Sequence, residues 1–505
     1  MRRVVATIAI LLCAAPCWFH QHYYDFLHDD AFIAFRYATN WAAGMGPVYN
    51  PGERVEGYSD FLWVALLRGV SSAGLDVVRT ARSLGSIAGI ALALGAALAA
   101  SSCLRRSWRM ACFAAASVAL HACPQVWALS GLETVPFALL VLVASIVFLH
   151  ERRRDRPHWV SGVLFAGLAL LRADGFLFLF PAVLMAALQK KRRKRSVVSL
   201  AAAFAVVFVP YVIWRWSFYG SVLPNTYYAK TGGGMLQQVR GLFYVYNVVE
   251  PFGGILLWCL PLVLLALRDR DRNPERLYFA LLVAGVSAAV VWVGGDHMPM
   301  GRFFAPLVVP VLLLQMEAAV EIGARVRGLQ GRMPWLVAGI LWSCILMAGF
   351  MPTLNRRRLP ASFAISNAVL TRQWVLAGLW LREHVAPGTW MATNAAGAVA
   401  YHSGLPVIDM LGLNDAHIAH TVPVTGGGGT AGHEKRDFDY VLSRRPGVIF
   451  RGVLTTGVRD GELQHYSDGS GFRRREIPMG TGPVADDFGT VHTAPLFIVF
   501  EERVE

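Results

Sequence analysis

Long apolar stretches recur through the first 350 residues of the chain, separated by short polar or basic intervals. They fall at residues 3–19, 59–75, 83–101, 110–128, 130–149, 159–171, 176–189, 197–216, 252–267, 277–294, 303–323 and 334–351. A helix needs about 17–20 nearly uncharged residues to cross the hydrocarbon core of a bilayer. The pattern therefore predicts a polytopic α-helical membrane protein. Basic clusters set the orientation, because Lys and Arg near the membrane stay on the cytoplasmic side. These are Arg105/Arg106/Arg109, Arg152/Arg153/Arg154/Arg156, Lys190 to Arg195, Arg268/Arg270/Arg272/Arg276 and Arg325/Arg327/Arg332. Twelve crossings from a cytoplasmic Arg2-Arg3 would strand the first three clusters outside. Setting residues 59–75 aside repairs all three at once. That stretch is short, carries Arg68 and ends in Ser71-Ser72-Ala73-Gly74, so it reads as a re-entrant or interfacial helix on the outer side. About eleven transmembrane helices remain.

The outer loops are then residues 20–82, the region of 129, 172–175, 217–251 and 295–302, with everything beyond 352 also outside. Residues 1–351 form a transmembrane module whose first outer loop, 20–82, is its most polar part. Residues 352–505 form a second domain. There the apolar runs shorten to an amphipathic helix at 361–385, with Trp374, Trp380 and Leu381. A strand follows near Trp390–Thr393, then a Gly/Ala-rich turn and helix at 394–402. A strand at Leu405–Met410, a helix from about Asp437 and a strand at Gly447–Phe450 complete the pattern. This alternation predicts a small α/β domain. Residues 426–429 and 468–471 read as loops. The apolar run after Arg2-Arg3 reads as an uncleaved signal anchor, because Pro16 and Cys17 spoil a small-residue cleavage site.

Composition agrees. Of 505 residues 55% are hydrophobic and 16% charged, where a soluble chain carries about 25% charged residues. The net charge of +14 would point to nucleic acid in a soluble protein. Here the basic residues lie between apolar segments, the positive-inside arrangement, so no nucleic-acid partner is expected. Seven cysteines lie in or beside apolar segments without any CxxC, which supports neither a disulfide scaffold nor a zinc site.

The chemistry concentrates in the outer loops. Asp29-Asp30 follows the first apolar stretch and precedes an aromatic-rich helix. Adjacent carboxylates raise each other's pKa, which suits a general base near neutrality or a ligand for a divalent cation. Arg36, Arg54, Arg172, Lys230, His297 and Arg302 are the cationic groups able to hold a phosphate. Glu133, Arg172, Asp174, Lys230, Asp296 and Arg302 stand close to the apolar core, where ionisable groups are costly and mark sites. Capping of their own helices is the structural alternative. His417, His420 and His433 lie near Asp409, Asn414, Asp415 and Glu434 in no standard metal spacing, so hydrogen bonding or acceptor contact is the expectation there. No GxxxxGK[ST], HExxH or GxSxG occurs, against an ATPase, a zinc protease or a serine hydrolase.

The run from His28-Asp29-Asp30-Ala31-Phe32-Ile33 through Asn50-Pro51-Gly52-Glu53-Arg54-Val55-Glu56-Gly57-Tyr58 to Leu62-Trp63 resembles the first extracytoplasmic loop of the integral-membrane GT-C glycosyltransferases. It is most similar to the AftB-like branch, the terminal arabinofuranosyltransferases of mycobacterial arabinan and their proteobacterial relatives. The similarity continues through Ser130–Thr134, Arg172–Gly175, Pro224–Lys230, Gly294–Arg302, Asp409–Asp415 and Gly432–Lys435. The resemblance implies a GT-C fold with a C-terminal periplasmic domain in the bacterial inner membrane, working on the periplasmic face. It implies an inverting transfer of a sugar, a pentofuranose such as arabinofuranose, from a polyprenyl-phosphate donor to a glycan, lipid or protein acceptor. Asp29 and Asp30 occupy the catalytic aspartate positions. Arg36, Arg172, Lys230, His297 and Arg302 become candidates for the donor phosphate. Glu56, Tyr58, Glu133, Asp174, Asn225, Tyr228, Asp296, Asp409, Asn414, Asp415 and His433 become candidates for substrate contact. The resemblance assigns no cofactor with certainty, and a divalent cation is the candidate that the carboxylates would accept. The rival readings are a lipid-linked-sugar flippase or a non-catalytic glycan-binding membrane protein. The absence of an internal repeat and the size of the outer domain weigh against the flippase.

Overall fold

The structure, a computed structural model, describes residues 2–189, 193–231, 234–249, 273–296, 298, 300–325, 333–354, 359–423, 433–455, 472–485 and 491–503. The apolar stretch expected at 252–267, the loops at 426–429 and 468–471, and His297 lie outside the described residues. The chain divides into two compact units. One comprises Met1–Asp25, Ala81–Trp214 and Met235–Pro360. The other comprises Phe26–Thr80, Arg215–Gly234 and Ala361–Glu505.

The first unit is helical. Among the described residues, six helices of the chain are long and apolar enough to cross a membrane: Arg3–Tyr24, Val77–Ser102, Thr134–Arg153, Arg193–Tyr219, Pro274–Val293 and Arg302–Ile322. Shorter apolar helices at Trp108–Leu120, Trp159–Leu171, Ala173–Ala187 and Gly339–Thr353 fall on further expected stretches. The protein is a multi-pass membrane protein.

Two stretches differ in detail from their hydropathy. The run at 110–128 is two helices, Trp108–Leu120 and Ala122–Trp127. His121 turns to extended backbone between them and its Nδ1 accepts the Cys123 N–H at 3.2 Å. The first helix continues past Phe19 to Tyr24. Its last turns bury His20, Gln21 and Tyr24. His20 and Tyr24 each lie 2.8 Å from the Thr353 hydroxyl, and Gln21 donates to Gln125 at 3.1 Å. Polar residues extend this helix because each finds a buried partner.

The basic intervals are partly neutralised in place. Glu317, 1% exposed, receives Arg106 through Nη2 at 2.6 Å and Arg276 through Nε at 2.8 Å. One carboxylate thus draws three segments of chain together.

The second unit is α/β. Strands β1 (Met391–Thr393), β2 (Val407–Asp409), β3 (Val448–Thr455), β4 (Phe472–Ala485) and β5 (Val491–Arg503) form one sheet in the order β2-β1-β3-β5-β4. β1 pairs in parallel with β2 and β3, while β5 runs antiparallel to β3 and β4. Ala392, Ile408, Ile418, Val441, Ile449 and Phe472 form the core on this sheet. The helix Leu359–His384 falls on the helix expected at 361–385. The β4–β5 hairpin has no counterpart among the expected elements. Its β4 carries Arg473-Arg474-Arg475 and Pro478, which mask the alternation of a strand.

The same unit holds Phe26–Thr80. The helix Ala31–Ala42 is buried on every side from Ala31 to Ala38, and the helix Phe61–Ser72 packs beside it. Phe61–Ser72 is 12 residues long, about 18 Å.

Candidate active site

Arg36, Tyr49 and Asn50 of the opening loop bond to the backbone between Ala396 and Val407. Arg36 lies 6% exposed inside the buried helix, where an unpaired guanidinium would be prohibitive. Its Nε donates to Tyr49 O at 2.8 Å, Nη1 to Ala400 O at 2.5 Å, and Nη2 to Leu405 O at 2.7 Å and Asn50 Oδ1 at 3.3 Å. The Asn50 amide in turn pairs with the edge strand β2, donating to Val407 O at 2.8 Å and accepting Val407 N–H at 2.9 Å. Tyr49 donates to Ala396 O at 2.5 Å. Tyr37 donates to Val55 O at 2.7 Å and accepts Gly57 N–H at 2.8 Å. Arg36 is therefore a structural clamp. Four of its five N–H donors already meet protein oxygens.

This clamp sets Asp29 against the turn after β1. Asp29 Oδ1 accepts the Ala398 N–H at 2.6 Å. A Cβ at Gly397 would overlap the Asp29 carbonyl oxygen and lie 2.5 Å from its Cγ and Oδ1. Burial pushes the Asp29 carboxyl up from 3.8 to about 7. The charges of Asp30 and Asp409 add to that rise, against the pull of the Ala398 and Gly397 N–H groups. Asp30 is the more open neighbour, its side chain 30% exposed and 3.9 Å from His28 Nδ1. It precedes the helix Ala31–Ala42 without any side-chain cap bond, so helix capping does not explain it.

Asp409 ends β2 and accepts Leu411 N–H at 3.0 Å, Asn414 N–H at 2.8 Å and Asn414 Nδ2–H at 3.0 Å. Its burial raises the carboxyl to about 6 despite these donors. Asn414 Oδ1 also lies 3.2 Å from the Tyr37 hydroxyl. Asn225 donates to the carbonyls of Gly412, Leu413 and Asp415, and its own N–H reaches Glu56 O at 3.0 Å. Glu56 pairs at 2.9 Å with Arg215, a residue sequence reasoning left aside. Its signal was a lone arginine between two tryptophans in an apolar stretch, where a charge needs a partner.

Tyr58 meets Tyr219 at 3.0 Å between hydroxyls. Tyr228 stacks on His420, 4.1 Å between centroids. Asp415 caps the helix Ala416–Thr421 through Ile418 N–H and accepts from Tyr440. His417 pairs with Asp437 at 3.0 Å and stacks on Tyr440. His433 and Lys230 are half-buried. Among the described residues, no three His, Cys, Asp or Glu side chains group to hold a metal ion.

The helical unit carries a second charged group. Arg172 donates bidentately to Asp174, Nε to Oδ1 at 2.9 Å and Nη2 to Oδ2 at 3.0 Å, and through Nη1 to Glu133 Oε1 at 2.9 Å. Its guanidinium lies over the rings of Phe137 and Phe303, 5.3 and 5.2 Å from their centroids. Arg302 donates to Asp296 at 2.7 Å. Glu133 precedes the helix Thr134–Arg153 but makes no side-chain cap bond, its carboxylate turning to Arg172 instead.

Comparison with known proteins accords with this architecture. Residues 366–481 match a family model described as a domain of unknown function (DUF8728). Over 335 residues the chain is 29% identical to the terminal beta-(1->2)-arabinofuranosyltransferase of Mycobacterium tuberculosis. That similarity covers 56% of this chain and 52% of the relative, so the chain spans about half the length of the curated relative it matches. ArnT from Cupriavidus metallidurans, solved with undecaprenyl phosphate, superposes with a TM-score of 0.55 at 12% identity, covering 97% of both chains. The Archaeoglobus fulgidus oligosaccharyltransferase, solved with Zn and sulfate, superposes with a TM-score of 0.53 at 13% identity, covering 79% of this chain and 62% of that one. The protein is an integral membrane protein of the GT-C glycosyltransferase fold. Within that fold its sequence is similar to a terminal arabinofuranosyltransferase.

Proposed function

We propose that the protein is an inverting glycosyltransferase that moves a pentofuranose such as arabinofuranose from a polyprenyl-phosphate carrier to a cell-surface glycan, lipid or protein. The observation that carries this reading is the Asp29 carboxylate, buried, oriented by Ala398 N–H and titrating at about 7. A carboxyl raised toward neutrality suits a general base. Similarity to an arabinofuranosyltransferase supports the sugar, and the fold shared with an undecaprenyl-phosphate-bound protein supports the donor class.

In this reading Asp29 takes the proton of an acceptor hydroxyl. The hydroxyl oxygen bonds to the anomeric carbon from the face opposite the phosphate. The bond from that carbon to the phosphate oxygen breaks, and the polyprenyl phosphate leaves with the electron pair. Burial holds the Asp29 carboxyl up, and the charge of Asp30 adds to it. Arg172 and Arg302 recognise the phosphate, whose developing charge they offset electrostatically. About eleven crossings, a periplasmic C-terminal domain from about residue 352 and an inner-membrane location belong to the same proposal. So does substrate contact by Glu56, Tyr58, Asn225, Tyr228, Asp409, Asn414 and His433.

The test incubates purified protein with labelled polyprenyl-phosphoryl pentoses and hexoses and an acceptor glycan. Transfer by the wild type and its loss in Asp29→Asn, with folding retained, support the enzyme. Binding without turnover supports a receptor, and donor crossing the bilayer in vesicles supports a flippase. Full transfer by both Asp29→Asn and Asp30→Asn removes the catalytic assignment.

A further inference from the structure

Of the carboxylates around Arg172 and Arg302, one differs in exposure. The Asp174 side chain is 40% exposed, against 8% for Glu133 and 3% for Asp296. Yet Asp174 makes the bidentate contact, with both oxygens in the fork of Arg172 at 2.9 and 3.0 Å. A guanidinium fork of this geometry suits a phosphate equally well. Arg172 cannot follow a departing partner, since Glu133 holds Nη1 and Phe137 and Phe303 flank its plane. The carboxylate is the more exposed member of the pair.

We infer that Asp174 occupies the place on Arg172 that the donor phosphate takes, and that the lipid phosphate binds by displacing it. This rests on the reading of Arg172 as a phosphate-recognising residue. Charge favours the exchange. Among the described residues paired here, the carboxylates Glu133, Asp174 and Asp296 outnumber the guanidiniums Arg172 and Arg302 by one. A phosphodiester, as in a polyprenyl-phosphoryl sugar, carries one negative charge and replaces Asp174 without changing that balance. The released polyprenyl phosphate is a monoester carrying about 1.5 to 2 negative charges at neutral pH. Asp174 returning to the fork therefore opposes the product more than the donor. Asp174 is a positioning residue that sets donor affinity and hastens product release.

The test titrates full-length protein in lipid nanodiscs with undecaprenyl phosphate, comparing wild type, Asp174→Asn, Asp174→Ser and Arg172→Gln. Monodispersity on size exclusion confirms folding, and the two Asp174 variants guard against one failing to fold. Removing the competing carboxylate is expected to tighten binding about fivefold, the scale of one partly exposed ion pair. Arg172→Gln is expected to lose about tenfold or more. Unchanged or weaker binding in the folded Asp174 variants, with Arg172→Gln impaired, overturns the displacement. Wild-type binding by Arg172→Gln overturns the phosphate role of Arg172 itself, a separate failure.

Discussion

Asp29 and Gly397 are 368 positions apart in the chain, and the Asp29 carbonyl oxygen lies where a Cβ on Gly397 would stand. A side chain at Gly397 therefore has no room beside Asp29. The adjacent Ala398 N–H then reaches the Asp29 carboxylate.

Gly397→Ala is expected to push this carboxylate out of place. Misplacing a reacting group by about 1 Å costs about 100-fold in rate. Transfer by the folded variant should fall on that scale, and wild-type transfer would show that Asp29 needs no such seat.

The raised Asp29 pKa gives a pH dependence of known sign. The base works ionised, so transfer should rise with pH and level off above about 7. Stability should run the other way. In the unfolded chain the carboxyl ionises near 3.8, while in the folded protein it holds its proton to about 7. Between these values the folded state binds the extra proton, so this contribution is full below 3.8 and is lost as pH rises to about 7. Asp30→Asn removes a neighbouring negative charge and should shift the rate profile to lower pH. Rate and melting profiles of wild type, Asp29→Asn and Asp30→Asn check both signs.

Arg36→Lys should destabilise the protein without altering donor affinity. A lysine lacks the planar fork that reaches four oxygens at once. Leaving buried carbonyls unmet costs about 2–3 kcal/mol. Thermal unfolding reads the loss. A selective change in KM for the donor, with stability unchanged, would return Arg36 to phosphate binding.

Glu317→Gln should lower stability by about 3–5 kcal/mol, the cost of breaking a buried ion pair from one side. Arg106 and Arg276 would keep their charges around a neutral amide. Aggregation temperature in detergent measures it, and an unchanged value would mean that water reaches both guanidiniums.

The Asp-Asp pair was visible in the chain, as were the aromatic helix behind it and the charged residues near the apolar core. Their jobs were not. Arg36 and Arg172 are the same residue type near the same kind of boundary. One is consumed by backbone carbonyls and the other sits in a fork shared with an open carboxylate, because their partners come from distant segments. Likewise Asp415 caps a helix while Asp30 and Glu133, equally placed before helices, do not.

Hydropathy, charge clusters and strand–helix alternation specify a multi-pass helical chain with an α/β segment, because membrane solvation and backbone hydrogen bonding act on local composition. They also point to the opening loop. Tertiary structure alone distinguishes Asp29 from Asp30. A carboxyl's proton affinity depends on burial and on neighbouring charges and donors, and for Asp29 these come from Asp30 beside it and from Gly397, Ala398 and Asp409, far away in sequence.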